Sequence, residues 1–362
     1  MPRPWLMVAA ALLAFLGGAV SSRAQSDVQR EREAVRLAIA KEDTPALRDA
    51  LAALARTTSV DAAADAFVEA IEAVPRNRAF RARFEAALAS GVTPIPERSR
   101  ERWLFVLVPG WLYVTDPETG ADLARVQSAL RLLELATRLV PLEENGTIEA
   151  NAEILARELE RLEADDRRLI LVSTSKGGPE THLALDRLRQ AGRADHVAAW
   201  INIGGLLNGT AVADHWSRWP RSWLAAAGFA LRGHGTASIG SMTTEARRPH
   251  FATAALPPDV LVVNYLGVPR SSDVHSGVRD RYELLAEHGP NDGLTLLADA
   301  IVPQGVTLVA RGLDHFLADP DQDRVVAAMA KAVLDTLEDE GARAHRLKRA
   351  PPASDRRPYA SG

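Results

Sequence analysis

Apolar and polar positions change rhythm once along the chain, close to residue 95. From Asp27 to about Leu88, apolar residues recur three and four positions apart in AVRLAIA, LRDALAALA and DAFVEAIEAV. That is the spacing of one face of a helix. Asp43 and Thr44 before Pro45, and Ser59 with Asp61 before an alanine run, supply helix starts, because their side-chain oxygens can accept from amides left unpaired at a helix N-terminus. The pattern predicts three or four short amphipathic helices. They hold no His, Asp or Glu clustered at ligand spacing, so their expected role is to pack against the rest of the protein. Prolines and polar residues in SGVTPIPERSR (90–100) break the pattern. This marks the boundary between a helical N-terminal region at 25–95 and a larger domain at 100–342.

Beyond that boundary, short unbroken apolar runs alternate with helical stretches. WLFVLVPGW (103–111), TRLVPL, RLILVS, HVAAWINIGG, DVLVVNYLG (259–267) and GVTLVARG (305–312) have strand length and no polar face, as expected where both faces are covered. Helical segments separate them at about 121–135, 147–163 and 177–190. The alternation predicts an α/β class, with a mainly parallel sheet flanked by helices. Before DVLVVNYLG, residues 214–243 bring Trp216, Trp219, Trp223 and Phe229 close together. This insertion reads as a short apolar cap, about 214–255, whose tryptophans line an acyl pocket. The alternative is that they pack on the sheet edge.

Composition narrows the chemistry. The 362 residues are 47% hydrophobic with a net charge of −4, a globular profile that argues against nucleic acid as a partner. The absence of cysteine excludes disulfides, thiolate zinc sites and a cysteine nucleophile. Serine, histidine and carboxylates remain, and no metal or organic cofactor is implied. Arg3, the apolar run Trp5 to Val20 and Ser22-Arg23-Ala24 read as a signal peptide (1–24) cleaved after Ala24. A secreted or periplasmic protein with no stable membrane span is expected, since the run is short of the ~20 residues a spanning helix needs. An uncleaved anchor is the alternative. The basic, proline-bearing stretch 343–362 has no periodicity and is expected to be disordered.

RLILVSTSKGG (168–178) holds two candidate nucleophiles. From Ser173, STSK matches S-x-x-K, in which the serine opens a helix and its lysine follows one turn on. Gly177 and Gly178 would then fall inside that helix at a cost of ~1 kcal/mol each, and no S-D-N or K-T-G follows. From Ser175, STSKG is a variant of G-x-S-x-G, with the serine on a tight strand-to-helix turn flanked by small residues. Gly177 is one of these, and Ser173 stands where glycine is usual. A nucleophilic serine needs a base, and the base a carboxylate to hold its tautomer. GPNDGL offers Asp292 and GLDHF offers His315, each in a loop after a later strand. Asp299 and Asp314 are rivals for the acid, and His288, His275 and His215 for the base. An oxyanion needs two backbone amides. Lys176 supplies one, its side chain expected in solvent, and Trp111, just beyond Pro109-Gly110 with Leu112 close behind, supplies the other.

VLVPGW, LILVSTSKGG, INIGGLLNGTAVAD, GPNDGL and GLDHF, spread over about 103–320, resemble the α/β-hydrolase superfamily and, within it, the lipase and esterase-like branch. The resemblance implies the α/β-hydrolase fold, a triad in the order Ser, Asp, His, and cleavage of carboxylic esters through an acyl-enzyme. A small-molecule or lipid ester is the implied substrate, and nothing is implied about protein partners. The same fold hosts peptidases and acyltransferases. A catalytically silent binding protein is a further alternative, because of Ser173.

Overall fold

The computed structural model describes residues 25–91, 93–231 and 235–349. The expected signal peptide at 1–24 and residues 350–362 lie outside the described residues. Four helices come first: α1 (25–40), α2 (Thr44–Thr57), α3 (Val60–Ala73) and α4 (Pro75–Ser90). Asp43 and Ser59 cap α2 and α3, accepting the amides of Ala46 and Ala62 at 2.9 and 3.1 Å. Pro45 and Pro75 sit in first turns, where a missing N–H costs nothing. The apolar faces of α1, α2 and α3, with Val35, Leu47, Leu54, Phe67 and Ile71, close on Leu266, Val268, Leu297 and Ile301 of the larger domain. Arg48 on α2 fastens them there, donating from Nε and Nη2 to Oδ1 of buried Asp299 at 3.0 and 2.5 Å.

Six strands follow: β1 (Trp103–Val108), β2 (Ala136–Leu139), β3 (Arg168–Thr174), β4 (Val197–Ile203), β5 (Leu261–Val268) and β6 (Val306–Arg311). Their order is β2-β1-β3-β4-β5-β6 and every pair is parallel. The helices around them are α5 (Glu97–Arg102), α6 (Ala124–Leu132), α7 (Ile148–Leu162), α8 (Gly177–Gln190), α9 (Ala211–Ser217), α10 (Arg221–Ala230), α11 (Ala237–Ser241), α12 (Thr244–Thr253), α13 (Arg279–Ala286) and α14 (Gln322–Arg349). Strand β1 explains the missing polar face. Trp103, Phe105 and Leu107 pack with Val126 and Leu130 of α6 and Met329 and Val333 of α14. Leu104, Val106 and Val108 pack with Leu155 and Leu159 of α7 and Leu185 and Leu188 of α8.

From β1 the chain moves outward to β2, then crosses back to β3 and continues the other way. The order therefore reverses between β1 and β3, and the crevice at their carboxyl ends is where open parallel sheets bind ligands. Gly110 follows β1 and Ser175 follows β3. At the far end, α14 runs to Arg349, past the boundary expected at 342. Ala, Arg, Leu and Lys are good helix formers, and the first proline after α14 begins is Pro351. Among the described residues no helix is long and apolar enough to cross a membrane.

Candidate active site

With β3 ending at Thr174 and α8 starting at Gly177, Ser175 stands on a two-residue turn. Its φ is +52°, the left-handed region, which costs a residue with a Cβ about 1–2 kcal/mol. The surroundings hold it there. The Ser175 amide donates to Ile203 O at 3.0 Å, and the Ser175 carbonyl accepts from Gly178 and Leu206 at 3.0 and 3.1 Å. Gly177 has no room for a side chain, since a Cβ would lie 2.7 Å from the carbonyl oxygens of both Val108 and Pro109. Ser173 is accommodated because its fully buried Oγ accepts the indole N–H of Trp200 at 2.8 Å, on the α7–α8 side of the sheet. It lies inside β3 rather than at a helix start, so the S-x-x-K arrangement does not form.

His315 stands over the turn. Its Nε2 is 3.1 Å from Ser175 Oγ and its Nδ1 is 2.8 Å from Asp292 Oδ2. Asp292 Oδ1 accepts the amides of Leu294 and Thr295 at 2.9 and 2.8 Å, and the Asp292 carbonyl accepts the amide of His315 at 2.8 Å. A carboxylate facing Nδ1 selects the tautomer with the proton there, which leaves the Nε2 lone pair facing the serine hydroxyl. The rivals are engaged elsewhere. Asp299 binds Arg48 and Arg248. Asp314 accepts the amides of His275 and Phe316 and shapes the loop that carries His315. His215 lies edge-on to Trp216, His275 Nδ1 accepts the amide of Gly277, and His288 follows α13 in a turn closed by Leu285 O. Among the described residues none of these bonds to Ser175 or His315.

The loop after β1 approaches the serine from the other side. A Cβ on Gly110 would lie 3.4 Å from Ser175 Cβ. Leu112 is excluded as an oxyanion donor because its amide already donates to Glu144 O at 3.3 Å. Among the described residues, the amides of Trp111 and Lys176 donate to no other protein group. The Trp111 indole donates to Asn145 Oδ1 at 3.1 Å and its ring stacks on Phe229 with centroids 5.5 Å apart.

One expectation needs correction. The Lys176 side chain is 2% exposed rather than in solvent, and its Nζ donates to Glu180 Oε1 at 2.5 Å. The start of α8 is wedged inside the protein, where a Cβ on Gly178 would lie 2.7 Å from Gly205 Cα, so the lysine beside it has no route to water. Burial pushes the Glu180 carboxyl up, while Lys176 and Asn151 oppose that shift. The i,i+4 spacing of Lys176 and Glu180 was the available signal. The tryptophans of the cap stand largely exposed, Trp216, Trp219 and Trp223 at 42%, 84% and 67%. The apolar group beside Trp111 is Phe229 with Leu206, Ile239, Met242 and Leu294. Apolar residues surround α10 on all sides, so no stripe in the sequence marks its inward face.

No family model and no curated protein matches the chain. Solved structures do. A metagenomic carboxyl esterase is 21% identical over 68% of this chain and 78% of its own, with a TM-score of 0.55. The Bacillus licheniformis lipase BlEst2 in its mature form is 19% identical over 68% of this chain and 96% of its own, with a TM-score of 0.51. Likeness at such identities speaks to architecture alone, and the architecture shared with this chain is the α/β-hydrolase fold.

Proposed function

We propose that the protein is an exported serine hydrolase that cleaves carboxylic esters through an acyl-enzyme. One observation carries the proposal: the unbroken line from Asp292 Oδ2 through His315 to Ser175 Oγ, with contacts of 2.8 and 3.1 Å. Ser175 Oγ attacks the ester carbonyl carbon while His315 Nε2 takes its proton. The oxyanion rests on the amides of Trp111 and Lys176. Collapse of the tetrahedral intermediate expels the alcohol, which leaves with the proton from His315. Water, deprotonated by the same nitrogen, then releases the acid and restores the serine. The esterase and the lipase that share the architecture direct the proposal toward esters. The bond from Trp200 to Ser173 supports this reading over a silent binding protein, since it gives the serine in the glycine position a seat within β3.

Labelling with a fluorophosphonate followed by peptide mapping tests the reading. Label on Ser175 that disappears in Ser175→Ala is expected, and a folded protein that takes no label would overturn it. Export rests on residues 1–24 and is tested by finding a mature chain that begins at Gln25.

A further inference from the structure

A fully buried ion pair is an inefficient source of stability, because both charges give up water and an apolar pair of similar volume would serve as well. Lys176 and Glu180 form such a pair, both almost without exposed surface, and Lys176 is the residue next to Ser175. The bonding does not stop at the pair. Glu180 Oε1 also accepts from Asn151 Nδ2 at 2.8 Å. Asn151 grips the backbone of Glu143 from both sides, donating to its carbonyl at 2.8 Å and accepting its amide at 3.2 Å. The two residues after Glu143 hold the loop beyond β1. Glu144 O accepts the Leu112 amide at 3.3 Å, its carboxylate accepts the amides of Val114 and Thr115 at 3.0 and 2.8 Å, and Asn145 Oδ1 accepts the Trp111 indole.

We propose that Lys176, Glu180 and Asn151 are positioning residues, which tie the segment carrying one oxyanion amide, Lys176, to the 143–145 turn that holds the other, Trp111. The proposal rests on the ester-hydrolase reading above. Two amides on separate loops stabilise an oxyanion only if their spacing is held to a fraction of an ångström. Charged hydrogen bonds are shorter and stiffer than neutral ones, and burial keeps water from loosening them.

The test compares full-length wild type with Lys176→Met, Glu180→Leu and the double variant Lys176→Met/Glu180→Leu, by thermal melting, Ser175 labelling, and kcat and KM on a chromogenic short-chain ester. Each single variant leaves a charge or cavity behind and is expected to melt lower. The double variant is expected to melt with wild type while kcat falls roughly 10- to 100-fold and KM moves less than about threefold. A double variant that regains both stability and kcat would overturn the positioning role and leave the ester-hydrolase reading standing. Wild type that takes no label at Ser175 would overturn both. Should the double variant fail to fold, Glu180→Gln serves instead, since it keeps the shape and removes the charge. The same selective loss of kcat is expected, and full kcat in a folded Glu180→Gln protein would overturn the proposal.

Discussion

The indole N–H of Trp200, on β4, donates to Ser173 Oγ, on β3, at 2.8 Å, with both side chains fully buried. The two strands run side by side with Leu171 opposite Trp200 and Ser173 opposite Asn202, so the hydroxyl sits one step along the strand from the ring. Ser173→Gly removes the acceptor and leaves a buried donor unpaired. Stability is expected to fall by about 1–3 kcal/mol, while turnover per folded molecule stays near wild type. Denaturant melts alongside the labelled fraction of Ser175 separate the two effects.

Asp292→Asn is expected to abolish most activity without unfolding the protein. Asp292 Oδ1 accepts two backbone amides, so an asparagine must turn its carbonyl toward them and its NH2 toward His315. A donor facing Nδ1 drives the imidazole proton to Nε2, where no lone pair remains for the serine. A loss of about 10⁴ in kcat is expected, measured against an unchanged melting curve.

The exposed tryptophans and the half-buried phenylalanine of the cap should behave differently. Trp219→Ala and Trp223→Ala are expected to leave kcat/KM on short soluble esters near wild type, because both side chains project into solvent. Phe229→Ala removes the ring stacked on Trp111, a contact worth about 0.5–1.5 kcal/mol, so kcat/KM is expected to drop roughly 2- to 10-fold. Equal losses at all three positions would return the tryptophans to the pocket.

His182 on α8 gives the fold an acid sensitivity separate from the triad. Burial against Phe251 and Trp200 holds its imidazole at about 4, below the ordinary 6.5, with Asp186 opposing the shift. The unfolded chain binds the proton more readily than the folded one. The resulting stability is therefore present above pH 6.5 and is lost as pH falls through about 4. The loss is about 3 kcal/mol as an order of magnitude. Melts at pH 7.5 and 4.5 are expected to differ less in a folded His182→Leu variant than in wild type.

The sheet and the meeting of Ser175, Asp292 and His315 were legible because Ser175 and His315 follow recognisable apolar runs closely, Asp292 lies in a turn-rich loop between the last two runs, and a parallel sheet brings such connections to one edge. What surrounds them was not. Whether Ser173 fits depends on where Trp200 points, a neighbour 27 residues away across a strand pair. The burial of Lys176 depends on how closely Gly178 approaches Gly205, which local pattern does not record. Asn151 reads as a helix position, yet it holds Glu143 beside the two residues that bond the loop of Trp111. The exposure of Trp216, Trp219 and Trp223 was not legible either, because clustering in sequence says nothing about direction.

The N-terminal helices also set an order of events. In chain order α2, α3 and α4 come early, but the surfaces that cover them come much later. Phe67 and Ile71 wait for Leu297 and Ile301, and Phe80 waits for Leu334 and Leu337 of α14. Contacts of such wide sequence separation close late and slow folding. The helices made earliest are thus sheltered late, and a nascent chain halted before β5 lacks Leu266, Val268, Leu297 and Ile301 as well as α14, the surfaces that cover them.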